Sequence, residues 1–365
     1  MNGNFRLGSL FGIPFYLNAS WFVVLLLVTW SYGNALATQF PSLVGVGPWL
    51  LGLTAALLLF SSVLAHELGH SLVAMKQGIQ VKSITLFLFG GLASLEAESK
   101  TPAGAFAVAI AGPAVSLMLW ALLTAAGTAL PISGPLAAVV GLLAMINFYL
   151  ALFNMIPGLP LDGGNVLKAA VWKFTGNRYR GIRVAARAGQ VVGGVAISSG
   201  VLTLSFWNVL IGWFLFQNAG QAFRSAQLQE QLSQYTAADV VTEGYLVIGI
   251  NDSLRELANR AIPYQGKVSR FLVVDEEGQL VGSVNLEDLK TVPTMEWPQV
   301  AVKKLLQSTA LPQIVQAHQS LLDIVTLLEK EKLQTLAVVK EGGVLVGLLE
   351  KASVRDLLQQ EGAAA

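Results

Sequence analysis

Two hydrophobic patterns divide the 365-residue chain. Up to about residue 224, long apolar runs recur at residues 21–40, 48–75, 103–130, 136–155, 188–204 and 206–222. Each is near the ~20 residues a helix needs to cross the hydrocarbon core of a bilayer, the fifth being Gly-rich and slightly short. Trp21, Trp49 and Trp207 fall at run ends, where interfacial aromatics belong. Ahead of the first run, Phe5, Leu7, Leu10, Phe11, Ile13, Phe15 and Leu17 alternate with turn residues and predict short strands at the membrane surface. Residues 78–98 predict a hairpin or short sheet beside the second run, with Val81, Leu86 and Leu88, then Phe89-Gly90-Gly91 and an apolar stretch to Leu95. Past residue 224 the pattern shortens. Residues 270–289 and 335–353 each read as strand, tight turn, strand and helix, and each follows a predicted helix, at 253–261 and 321–331.

Composition sharpens this division. The chain is 54% hydrophobic and 12% charged, against ~25% charged in an ordinary soluble protein. The charges crowd into the last part. The expected fold is therefore a polytopic α-helical membrane protein of about six spans with a small membrane-associated β element, over residues 1–225. A linker over 226–236 and a soluble α/β module over 237–365 follow, the repeats covering about 237–292 and 300–358. A net charge of +1 gives no reason to expect nucleic acid as a partner. The chain has no cysteine, so a zinc site must use His and carboxylate.

Charge also predicts orientation. The connections at 41–47, 131–135 and 203–205 contain no Lys or Arg. Lys76, Lys82, Lys100, Lys168, Lys173, Arg178, Arg180, Arg183, Arg187 and Arg224 all fall on the other side of a six-span arrangement. The positive-inside rule then puts both termini in the cytoplasm of a multi-pass protein of the cell membrane. Ala35-Leu36-Ala37 looks like a signal-peptidase site after the first run. The only nearby positive charge, Arg6, is remote from the run, so the run is expected to be retained as a span.

The candidate chemistry sits in residues 51–78. His66-Glu67-Leu68-Gly69-His70 is the H-E-x-x-H arrangement. Positions four apart share a helix face, so His66 and His70 can hold one metal ion with Glu67 beside it to act on a water. No charged residue occurs from Trp49 to Leu64, which makes the metal helix membrane-spanning. An ionisable residue in such a segment is costly and functional by default. The alternative is a chance match, with the histidines satisfied by neighbours. The fourth run ends in Asn154-Met155-Ile156-Pro157-Gly158-Leu159-Pro160-Leu161-Asp162-Gly163-Gly164. Asp162 is the sole acid between Glu98 and Glu230 and falls at the same edge as His70. It is the candidate third ligand, although an ordinary loop would also carry prolines and glycines. The hairpin at 78–98 offers a free edge that can bind an extended substrate strand, or is a surface hairpin without such a role.

These residues resemble the site-2 protease family of intramembrane zinc metalloproteases over roughly the first 225 residues. The matching elements are Phe11-Gly12-Ile13-Pro14, Ala65-His66-Glu67-Leu68-Gly69-His70, Gly90-Gly91, Ala111-Gly112-Pro113 and Asn154…Pro157…Leu161-Asp162-Gly163. The resemblance implies that His66, His70 and Asp162 ligate one zinc ion and that Glu67 is the general base. It further implies that Asn154 holds the substrate carbonyl or the developing oxyanion. From the residues alone Asn154 is equally a helix-end hydrogen bonder. Ser116 departs from the family pattern, which often has Asn shortly after Ala-Gly-Pro. Gly112-Pro113 reads as a packing and kink element.

The C-terminal repeats resemble a tandem pair of cystathionine-β-synthase-type (CBS) domains. That family often binds an adenine nucleotide through a hydroxyl and an Asp after the second strand. Asn285 and Asp288 stand there in the first repeat, Glu350 and Ser353 in the second, leaving Asp288 as the one candidate nucleotide ligand. Structural regulation or homodimerisation is the alternative role. His318 reads as a surface residue. The expected function is intramembrane cleavage of single-span membrane proteins, such as anti-sigma or pro-sigma factors, with the CBS pair regulating activity or dimerisation. The rival is a membrane transporter or channel with a regulatory CBS pair, its His, Glu and Asp residues lining an ion path.

Overall fold

The computed structural model describes residues 4–88, 90–241, 247–264, 270–306 and 313–364. Phe89 of the expected hairpin, and residues 242–246, 265–269 and 307–312 of the expected C-terminal module, lie outside the described residues. The chain divides into two compact units, Met1–Gln227 and Leu228–Ala365.

The first unit begins with strands β1 (Asn4–Leu10) and β2 (Ile13–Asn18), joined by a two-residue turn in which Phe11 and Gly12 both take positive φ, 52° and 80°. Helix α1 (Ala19–Gln39) follows at once, its first turn capped by the Asn18 side chain, which accepts from the Ser20 N–H at 3.0 Å. Helix α2 (Gly47–Lys76) has Pro48 in its first turn, where a missing N–H costs nothing. Strands β3 (Val81–Phe87) and β4 (Gly90–Leu95) then complete a four-stranded sheet in the order β1-β2-β3-β4. The β2–β3 pairing is parallel and the outer two are antiparallel. β4 is therefore an edge strand.

Period-two alternation puts Ile13, Phe15 and Leu17 of β2 and Ile84 and Leu86 of β3 on one buried face. That face packs on Phe60, Leu64 and Leu68 of α2, positions i, i+4 and i+8 of one helical stripe. The same helix thus offers a different face, with His66 and His70, to α3 (Pro102–Ala129). Helices α4 (Gly134–Asn154), α5 (Asp162–Thr175), α6 (Arg178–Leu202) and α7 (Phe206–Leu232) complete the order. Among the described residues four helices, α1 to α4, are long and apolar enough to cross a membrane. The protein is multi-pass.

Two boundaries differ from expectation. Between the fourth and fifth apolar runs, where no element is expected, the short helix α5 forms with Asp162-Gly163-Gly164 as its first turn. α6 begins at Arg178, well before residue 188, since Asn177 caps it by accepting from the Arg180 N–H at 3.0 Å. Its basic first half belongs to the helix that the apolar pattern detected only later.

In the second unit β5 (Val247–Gly249), α8 (Leu254–Ala261), β6 (Arg270–Val274) and β7 (Leu280–Asn285) are repeated as β8 (Ile314–Gln316), α9 (Leu321–Lys330), β9 (Thr335–Val339) and β10 (Leu345–Glu350), with α10 (Lys351–Ala364) last. Each repeat forms a three-stranded sheet with one parallel and one antiparallel pairing. The helix expected after β7 is a 3-10 turn, Leu286–Thr291, cut short by Pro293. The two cores exchange short pieces. Val302, at the start of the second repeat, packs in the first core with Ile248, Leu257 and Phe271. Ala237 and Val240, at the start of the first repeat, pack in the second core with Leu321, Ile324 and Leu336. Leu232, the last residue of α7, lies in that second core too, so part of the expected linker is packed.

Candidate active site

The helical repeat brings His66 and His70 to one side of α2, with their Nε2 atoms 3.3 Å apart. Asp162 Oδ2 lies 3.2 Å from His66 Nε2 and 3.3 Å from His70 Nε2. Ligand atoms about 2.0–2.1 Å from a tetrahedral zinc stand about 3.3–3.4 Å from one another, so this triangle has the edge length of a zinc-holding set. A Cβ on Gly112 would run into the Nε2 atoms of both histidines. The space between the donors is thus kept open by a missing side chain on α3. Two imidazoles and a carboxylate are a donor set that suits zinc, and the residues present fit the metal.

Helix α3 also holds the imidazoles from behind. His70 Nδ1 is 2.7 Å from the Val108 carbonyl oxygen, which accepts its proton and leaves Nε2 free to face the metal position. His66 Nδ1 is 2.9 Å from Ser116 Oγ, a hydroxyl with no solvent exposure. Close approach of the two helices is a matter of glycines. At Gly69 a Cβ would lie 2.9 Å from the Ala111 carbonyl oxygen. The turn before α5 is similarly tight, since a Cβ on Gly163 would strike the Met155 carbonyl. That packing fixes Asp162 at the first turn of α5, where the helix dipole favours an acid.

Glu67, one residue round the helix from His66, faces β4. The Ala93 backbone N–H donates to its carboxylate. A Cβ on Gly91 would strike Glu67 Cγ, so the edge strand approaches the acid as closely as glycine allows. His66, Glu67, His70, Asp162 and Asn154, the last residue of α4, all line one cavity of about 380 Å³. Its lining also includes Leu92 and Ala93 of β4 and apolar Val63 and Leu150. Asp288 lies apart in the second unit, in the 3-10 turn after β7, where its carbonyl accepts from the Thr291 hydroxyl at 2.6 Å. The concave patch of that unit lined by Ser253, Arg255, Glu256, Asn259, Arg260 and Pro298 does not include it.

Convergence of an H-E-x-x-H helix and a distant aspartate among apolar helices defines a membrane metallopeptidase. Comparison with known proteins makes the class specific. The model of Peptidase family M50 matches residues 54–135 and 128–197, and the CBS domain model matches residues 237–293. The chain is 56% identical to "Putative zinc metalloprotease sll0528" of Synechocystis sp., over 100% of this chain and 97% of that protein. It is 34% identical to a second protein so designated, Rip3 of Mycobacterium tuberculosis, over 94% of this chain and 90% of that one. Among solved structures, a site-2 protease from Methanocaldococcus jannaschii is 29% identical, covers 60% of this chain and 95% of its own, and superposes with a TM-score of 0.45. The chain belongs to Peptidase family M50, the site-2 proteases, and carries a CBS domain. It is a zinc metalloprotease, which decides against the ion-path alternative.

Three contributors escaped the sequence reading. Ser116 registered only as a departure from the family pattern, yet it contacts His66. Gly112, a kink element by its sequence, leaves room for the metal position. Val108 contributes only a backbone oxygen, which no side-chain motif can reveal. The one available signal was helical phase, since Val108, Gly112 and Ser116 are spaced four apart along one stripe of α3.

Proposed function

We propose that the protein cleaves peptide bonds within the transmembrane segments of single-span membrane proteins, at a site formed by His66, His70, Asp162, Glu67 and Asn154. The observation that carries this reading is the cavity in which the three donors, Glu67 and the free edge of β4 meet. His66, His70 and Asp162 hold zinc, which when bound supplies Lewis acidity to a water and to the scissile carbonyl. Glu67 removes a proton from the attacking water and delivers it to the leaving amine. The amide of Asn154 donates to the carbonyl oxygen as negative charge develops there. The free edge of β4 takes the substrate as an added strand, so the substrate helix must unwind before its carbonyl is available. Buried backbone groups exposed by that unwinding are then met by the strand's own N–H and C=O groups, not by lipid.

In this reading all six apolar runs, α6 and α7 included, cross the cell membrane, with both termini in the cytoplasm. Residues 1–225 form the protease domain, 226–236 the connection and 237–365 a tandem CBS module. The module regulates activity or joins two copies, and Asp288 is its candidate contact to an adenine nucleotide. Substrates of the anti-sigma or pro-sigma class fit the single-span requirement.

The test is bound zinc per chain in purified wild type, Glu67→Gln and Asp162→Ala, beside cleavage of a generic transmembrane substrate. Near one zinc in wild type and Glu67→Gln, less in Asp162→Ala, and cleavage by wild type alone is the expected result. Cleavage by Glu67→Gln at the wild-type rate would remove Glu67 from the chemistry.

A further inference from the structure

One charged cluster next to the site has no part in the mechanism above. Glu98, in the segment that leaves β4 for α3, accepts from Lys168 Nζ and from Arg178 Nη2, each at 3.0 Å and both at the same oxygen, Oε2. Lys168 belongs to α5, the helix that begins with Asp162, and Arg178 is the first residue of α6. The Lys168 side chain is only 11% exposed, so its charge is largely withdrawn from water and depends on this partner. Burial alone would raise the Glu98 carboxyl, but the Lys168 and Arg178 charges outweigh it and hold it below the ordinary carboxylate value. The group is an anion at neutral pH. Glu98 and Lys168 both line the cavity that holds Glu67 and Asp162.

The mechanical meaning follows from the sheet. β4 is hydrogen-bonded on one side only, to β3, and its other edge carries the Ala93 N–H beside Glu67. An edge strand without a second tether can shift relative to the helices that hold the metal. We propose that Glu98 is a positioning residue. Its bonds to Lys168 and Arg178 tie the end of the substrate-bearing strand to the helix of the third metal ligand and so set the gap in which an extended substrate lies. This rests on the reading that the β4 edge takes the substrate. The clasp acts on substrate binding through β4; it touches neither zinc nor the scissile bond.

The experiment measures kcat and KM for a synthetic transmembrane substrate in the full-length protein, at low and high salt, together with bound zinc. Variants are Glu98→Gln and the exchanged pair Glu98→Lys with Lys168→Glu. A second substrate carries N-methyl groups on alternate residues around the scissile bond, which block strand pairing. For Glu98→Gln, KM should rise about three- to five-fold with kcat within about two-fold and zinc unchanged. Wild-type KM should rise with salt while that of Glu98→Gln stays flat, and the exchanged pair should recover part of the loss. Unchanged KM in Glu98→Gln overturns the proposal. So does a parallel loss of zinc and kcat, which would mean general damage to the fold. Equal KM for the N-methylated and ordinary substrates in wild type would overturn the edge-strand reading itself, a result distinct from either.

Discussion

The two walls of the proposed catalytic cavity are built on opposite principles. The α3 wall is tightly packed against α2. Gly69 and Gly112 bring it against α2, and Val108 and Ser116 grip the far nitrogens of the two imidazoles. The β4 wall is a strand with an unpaired edge, held by β3 and by the ion pairs of Glu98. A metal site needs fixed ligands, and packed helices provide them. A substrate that must be unwound needs backbone groups still free to pair, and only an edge supplies these. The contrast predicts a clean separation: damage to the α3 wall should read out as lost zinc, damage to the β4 wall as impaired cleavage, in KM or in kcat, with zinc retained.

Gly112→Ala should show the largest effect. A methyl group there collides with both Nε2 atoms, so zinc affinity should fall by about 100-fold or more, beyond the usual cost of losing an outer-shell partner. Competition with a chelator measures it, and full zinc retention would break the account of α3 as the metal wall. Gly91→Ala tests the other side. The methyl pushes on Glu67, the proposed general base, and a misplacement of about 1 Å can cost roughly 100-fold in kcat, here with zinc content unchanged. Ser116→Ala should weaken zinc by about 10-fold while Ser116→Thr restores much of it, since the hydroxyl and not the volume orients His66. The smallest effect concerns pH. The folded Glu98 carboxyl ionises below its unfolded value of 4.5, so its stabilisation is complete above that pH and is lost as pH falls through the folded value. Melting temperature below about pH 4.5 should therefore drop more steeply in wild type than in Glu98→Gln. Parallel curves would mean the clasp adds nothing to stability.

Much of this site was legible in the chain because its central chemistry is local. His66 and His70 declare themselves by a spacing of four, and Asp162 by being the lone acid in a long uncharged region. The N-terminal strands followed from alternation, the hairpin at 78–98 from β-prone residues and glycines, and the two-fold repeat of the second unit from the echo between its two stretches. What stayed hidden was contact between distant segments. Ser116 is fifty residues from His66, and a hydroxyl in an apolar helix has no pattern of its own. The start of α5 was obscured because prolines and glycines signal a loop, whereas Gly163 and Gly164 are small here to let a helix sit on the preceding turn. Lys168 and Arg178 enter the sequence pattern only as charges on one side of the membrane, and Glu98 only as the acid before Asp162; their pairing needs the elements brought together.

The traded pieces of the second unit carry a consequence of another kind. Val302 completes the core of the repeat before it, while Ala237 and Val240 complete the core of the repeat after theirs. Two halves that each lend the other a plug cannot each keep a complete core alone. Deleting residues 300–365 strips the first repeat of Val302, and removing 228–240 opens the second, although neither cut touches a strand of the damaged sheet. Either half expressed alone would therefore lack a piece of its own core, and the two fold as one cooperative unit.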